Sequence, residues 1–169
     1  MILKTPICTF DAKTGILCNM CENKLAAGQI TNSDVEGSIV LTKLSLKNPE
    51  IDKMTLIASK EIDNEVILFF KSSDFRTIRS NTKLIDLIRQ GFKKNIWLVE
   101  SDSNDRRFLE NLFYPIRIDN FNFIWLPDGH KLTRVVIDKK INSIEKITLE
   151  RIKKISLSLK KIELVVDTE

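Results

Sequence analysis

Five glycines, four prolines and one histidine are thinly spread over 169 residues. So little glycine leaves no phosphate-cradling Gly-rich loop, and there is no Gly-x-Ser-x-Gly nucleophile elbow. The lone histidine, His130, follows Asp128-Gly129 in a turn, the setting of a solvated side chain rather than of a general base. Asp102 and Asp105 read as caps of a following helix rather than as an acid–base pair. No nucleophile stands beside a base, so an enzyme is not expected. No apolar run approaches the ~20 residues that span a bilayer. Met1-Ile2-Leu3-Lys4 opens neither an apolar stretch nor a cleavage signal, so a cytoplasmic protein without a membrane partner is expected.

Cysteine is also sparse: Cys8, Cys18 and Cys21, all near the N-terminus. An odd, clustered set makes a poor disulfide framework. It reads either as a metal knuckle or as thiols packed as small apolar groups.

The chain is nevertheless a folding one, with 43% hydrophobic and 30% charged residues and a formal net charge of +4. That modest excess hides two basic segments. Residues 71–94 carry seven basic groups against Asp74 and Asp86, and residues 131–161 carry ten against Asp138, Glu145 and Glu150, while residues 1–70 are slightly acidic. Two such segments on an otherwise acidic chain point to an anionic partner. Solvated helix faces are the plainer alternative.

Periodicity organises the rest. Asn19 to Ala27 reads as two helical turns stopped by Gly28. Ser33-Asp34-Val35-Glu36 reads as a capping box with Ser33 at the N-cap, opening a helix that ends at Asn48-Pro49. Strands are expected at 54–60 and 66–70, a turn and cap at Ser72-Ser73-Asp74, a helix over 82–92 and a strand at 96–99. A similar order follows: a helix over 105–113, extended pieces at 116–118 and 121–126, a turn at Pro127–His130 and a return strand over 132–137. An irregular stretch at 139–146, a helix over 148–159 and a strand at 162–166 complete it. Trp97 and Trp125 fall inside apolar strands and are expected in the core, with base stacking as the alternative. Helix, strand, strand, helix, strand thus occurs twice, an internal repeat in pattern. The expected fold class is α+β: an N-terminal Cys knuckle (1–30), then two small units (31–101 and 102–169), each a three-stranded sheet covered by helices.

Val66-Ile67-Leu68-Phe69-Phe70 leading into Asp74-Phe75-Arg76-Thr77-Ile78, a four-residue loop, a helix, and Lys93-Lys94-Asn95-Ile96-Trp97-Leu98-Val99-Glu100 resemble a type II KH domain. Together with Pro6-Ile7-Cys8, Thr14-Gly15-Ile16-Leu17-Cys18, Lys24-Leu25, Gly28-Gln29-Ile30 and Ile124-Trp125-Leu126-Pro127-Asp128-Gly129, nearly the whole chain resembles an archaeal NusA-like family with tandem KH-like units and a Cys-rich N-terminus. That resemblance implies an RNA-binding factor in transcription elongation or termination. It also implies a zinc knuckle built from two Cys pairs.

The chain departs from the family pattern twice. Arg79-Ser80-Asn81-Thr82 stands where the family has Gly-x-x-Gly, so backbone cannot approach phosphate as closely. No such loop occurs between Ile137 and Thr148. In addition, Cys8-x2-Asp11 replaces the first Cys pair, while Cys18-x2-Cys21 is intact. The resemblance then implies one Zn2+ on Cys8, Asp11, Cys18 and Cys21, with His130 a distant alternative ligand. The expected RNA contacts are Arg76, Arg79, Ser80, Asn81, Lys83, Arg89, Lys93 and Lys94, with a second set at Lys139, Lys140, Arg151, Lys153 and Lys154. The altered loop leaves a second function open, a protein-interaction module docking on RNA polymerase or the ribosome.

Overall fold

A computed structural model describes residues 2–138 and 146–168, which form two units, Met1–Ser101 and Asp102–Glu169. The first opens with two short helices, α1 (Thr9–Thr14) and α2 (Asn19–Ala26), followed by a longer one, α3 (Asn32–Ser45). The second helix ends where the sequence places it, with Gly28 beyond it at φ 76°. The capping box of α3 lies two residues earlier than the Ser33 reading. Thr31 is the N-cap, its hydroxyl accepting from the Asp34 N–H, and the Asp34 carboxylate accepts from the Thr31 N–H at 2.8 Å. Asp34 wins over Glu36 because it has a second task. Its other carboxylate oxygen accepts from the Ser59 N–H at 2.7 Å, which ties the helix start to the sheet.

That sheet is built from β1 (Leu56–Ile62), β2 (Glu65–Phe70) and β3 (Asn95–Glu100), in the order β1-β2-β3. The first pair is antiparallel and the second parallel. A parallel neighbour needs a crossover. It is supplied by α4 (Ser72–Arg79) and α5 (Thr82–Gly91). Helix α4 was not legible as a helix in the sequence, where Ser72-Ser73-Asp74 read only as a break and cap. Phe75 and Ile78, three apart, are its buried residues, and the Asp74 carboxylate accepts from the Thr55 N–H at 2.9 Å. Leu41, Ile51, Leu56, Leu68, Phe70, Ile78 and Ile88 are the most enclosed members of the core. Two glycines permit close approach. A Cβ on Gly37 would lie 2.9 Å from the Ser59 Cβ, and one on Gly91 would lie 2.8 Å from a Leu44 methyl. Trp97 is half-buried, and its indole N–H donates to Glu65 at 2.9 Å.

The second unit comprises α6 (Asp105–Phe113), β4 (Ile118–Trp125), β5 (Lys131–Ile137), α7 (Lys146–Lys160) and β6 (Leu164–Thr168). Its sheet order is β4-β5-β6, again antiparallel and then parallel. Even the register irregularity recurs, at Leu56/Ala58 in β1 and at Ile118/Asn120 in β4. The fold class is therefore α+β with two three-stranded units in tandem, and the repeat read from pattern is a repeat of topology. Phe108, Leu109, Leu112, Phe113, Val135, Ile152 and Ile155 are buried here; of the inward stripe that periodicity predicts for α7 (Leu149, Ile152, Ile155 and Leu159), Ile152 and Ile155 are buried and Leu149 and Leu159 half-buried.

Three local expectations are corrected. The α6 N-cap is Asn104, whose carbonyl accepts from the Arg107 N–H at 2.8 Å, rather than Asp102 or Asp105. The two extended pieces at 116–118 and 121–126 are essentially one strand, β4. Trp125 is 69% exposed rather than buried. The irregular stretch read at 139–146 lies, except for Lys146, outside the described residues. No helix among the described residues is long and apolar enough to cross a membrane.

Candidate metal centre and nucleic-acid interface

The cysteines become a cluster through two helix starts of the same design. Cys8 is the N-cap of α1 and Cys18 the N-cap of α2. Asp11 and Cys21 occupy the third position of their respective helices, and an N-cap residue and the residue three on share one side of the first turn. Gly15 turns the chain back between the helices at φ 78°, a left-handed conformation glycine adopts without a Cβ clash. Ile7, Ala12, Cys21 and Ile30 form a small core of their own, backed by Val35 and Ile39 of α3.

One ligand atom from each of Cys8, Asp11, Cys18 and Cys21 lies within 4.8 Å of all the others, close enough to hold a metal ion. Tetrahedral ligands at about 2.0–2.3 Å stand roughly 3.5–3.8 Å apart, so the widest pair closes by about 1 Å on binding. Asp11 fits the vacant Cys position because both helices present their third residue alike. Its side chain is fully buried. One oxygen accepts from the Cys18 N–H at 2.9 Å, while the other has no hydrogen-bond partner. That N–H is the chief cause holding the carboxyl down to about 2, against the opposing effect of burial. An anion buried with one oxygen unserved calls for a cation. Burial pushes the Cys21 thiol up to about 12, so it is neutral in the metal-free protein at pH 7. The alternative ligand His130 is engaged in the second unit, 3.0 Å from the Glu163 carboxylate.

The expected RNA-contacting residues divide by what holds them. Lys83, Arg89 and Lys93 are exposed and, among the described residues, pair with no carboxylate. Arg76 is exposed, its Nε donating to the Ser72 carbonyl at 3.4 Å. Arg79 turns inward, donating to the Leu98 carbonyl at 3.2 Å with its guanidinium 4.7 Å from the Phe75 ring centre. Lys94 pairs with Glu61, which raises its pKa. Ser80 donates to the Thr77 carbonyl, and the Asn81 carbonyl caps α5 by accepting from the Lys83 and Leu84 N–H groups. The connection that replaces Gly-x-x-Gly is thus a helix cap with negative φ at Ser80 and Asn81, where glycine is not required. In the second unit Arg151 and Lys154 are exposed on α7, and Lys153 lies 3.8 Å from Glu150. Lys139 and Lys140 lie outside the described residues.

No family model matches the chain, and no curated protein does. A solved structure titled "Crystal structure of APE1850" is similar at a TM-score of 0.49 and 22% identity, over 77% of this chain and 95% of that one.

Proposed function

We propose that this chain is a non-enzymatic RNA-binding factor whose N-terminal knuckle holds one Zn2+, in the transcriptional setting that the resemblance to NusA-like proteins implies. The reading is carried by the exposed cations Lys83, Arg89 and Lys93 on α5 and the turn after it, which pair with no carboxylate among the described residues. Lys and Arg of this kind gain affinity by neutralising phosphates and releasing counterions. The helix–connection–helix crossover between parallel strands supports it, since that is where the KH resemblance locates the binding loop. Single-stranded RNA should bind with a log–log salt slope of about −2 if these three cations each meet one phosphate. Lys83→Glu with Arg89→Glu should abolish filter retention at moderate salt and flatten that slope. An unchanged affinity in the double variant would refute the assignment.

For the metal, three thiols and one carboxylate suit Zn2+, which supplies a cross-link between the two helix starts. Thiolate is the bound form, so loading at pH 7 should release protons from the ligating thiols, the buried Cys21 among them, read as indicator acidification in weak buffer. Each displaced proton weakens apparent affinity by about tenfold per pH unit lost. Loading without proton release would exclude thiolate ligation and with it the metal centre as described.

A second reading has its own observation. The Arg79–Thr82 connection is consumed by internal hydrogen bonds, which favours a scaffold that docks on a protein such as RNA polymerase or a ribosomal subunit. A partner retained after nuclease treatment favours docking, and one lost favours RNA.

A further inference from the structure

We propose that the β4–β5 hairpin is a stacking platform for the unpaired bases of single-stranded RNA. The proposal shares its ligand class with the reading above but uses a different surface. Phe121, Phe123 and Trp125 alternate along β4 and so share one face of the strand. Exposure rises outward, from half-buried Phe121 through Phe123 at 47% to Trp125 at 69%. Phe121 and Phe123 meet edge to face at 5.3 Å. Residues two apart on a strand are spaced about 6.7 Å along the backbone, roughly twice the 3.4 Å rise of stacked bases, a spacing that suits splayed bases on the outer, exposed rings.

Charge distinguishes this ladder from a bare apolar patch. Lys131, opposite Trp125 in register, holds its ammonium 4.2 Å from the Phe123 ring centre and 6.0 Å from that of Trp125. It has no carboxylate partner among the described residues. The nearby carboxylates face elsewhere, Asp128 and Glu163 towards His130 and Asp167 towards Arg134. Flat rings interleaved with one free cation match a nucleotide, base to ring and phosphate to ammonium. Because Lys131 is the one cation over these rings among the described residues, affinity here should come from stacking and depend little on salt, unlike affinity at α5.

Trp125 reports directly. In a Trp97→Phe background it is the only tryptophan, and its emission is followed while a labelled 12-residue oligouridine is titrated with anisotropy read in parallel. Expected are quenching that tracks binding, and a loss of affinity of about tenfold in Trp125→Ala and in Phe123→Ala, largely restored in Trp125→Phe. Both rings are exposed, so these variants should fold. Should K83E/R89E bind as well as wild type and still quench, the hairpin assignment holds and the α5 assignment fails. Oligouridine binding without quenching, at wild-type affinity in Trp125→Ala, overturns the hairpin assignment and leaves the α5 one standing; a ladder serving a protein partner would give this result. No anisotropy change at all overturns both.

Discussion

Cys21→Ser protein should purify without metal and without an ordered knuckle, whereas wild type should carry one Zn2+ per chain by elemental analysis. Cys21 has two roles, as one of the four clustered donors and as a 2%-exposed member of the small core with Ile7, Ala12 and Ile30. That core is far too small to hold α1 and α2 unaided. Structural zinc in comparably small modules contributes an apparent ~10–16 kcal/mol at neutral pH, most of it expressed as folding. The loss should be local. Amide protection should vanish in α1 and α2 while β1–β3 keep theirs, because the larger core of the unit excludes the knuckle. Chelation of wild type should reproduce the pattern. Wild type free of metal with α1 and α2 protected, or a Cys21→Ser protein that keeps its zinc, would remove the metal centre.

The next largest effect falls on a residue with no part in binding. Asp34→Ala should destabilise the first unit by about 3 kcal/mol in urea unfolding, against about 1 kcal/mol for Thr31→Ala. Both changes break the cap of α3. Only the aspartate also serves the buried Ser59 N–H, at 2.7 Å, with the Lys60 ammonium 3.9 Å from its other oxygen. Alanine leaves that N–H without an acceptor, and an unserved buried donor costs about 1–3 kcal/mol beyond the lost cap. Equal destabilisation in the two variants would show that the strand contact contributes nothing.

Legibility in the sequence followed the range of the interaction. Helix α6 was readable to the residue, and the inward stripe of α7 was readable from Ile152 and Ile155, because a periodic apolar face is encoded within a few turns. The doubled order of elements was readable for the same reason, and the clustering of Cys8, Cys18 and Cys21 was readable from spacing, which left a metal knuckle and packed thiols both open. Helix α4 escaped because its eight residues carry only two buried side chains, too few to show a period. Trp125 misled because an apolar strand segment does not reveal whether a sheet partner or a helix covers it. Arg79 and Lys94 read as cations like their neighbours, yet one is spent on Leu98 and the other on Glu61.

The sequence by itself determined most of the helices and strands, α1 and α4 excepted, that they come in two similar sets, and which side chains could bear charge or bind metal. Those are properties of neighbours in the chain. Only the tertiary structure decided that the Cys8-x2-Asp11 and Cys18-x2-Cys21 spacings lie on two helix starts that bring their ligand atoms within a few ångströms. It likewise decided that Asp34 reaches a strand 25 residues away, and which lysines and aromatics remain uncovered. Each of these depends on groups distant in sequence meeting within a few ångströms, and packing, not local periodicity, sets such distances.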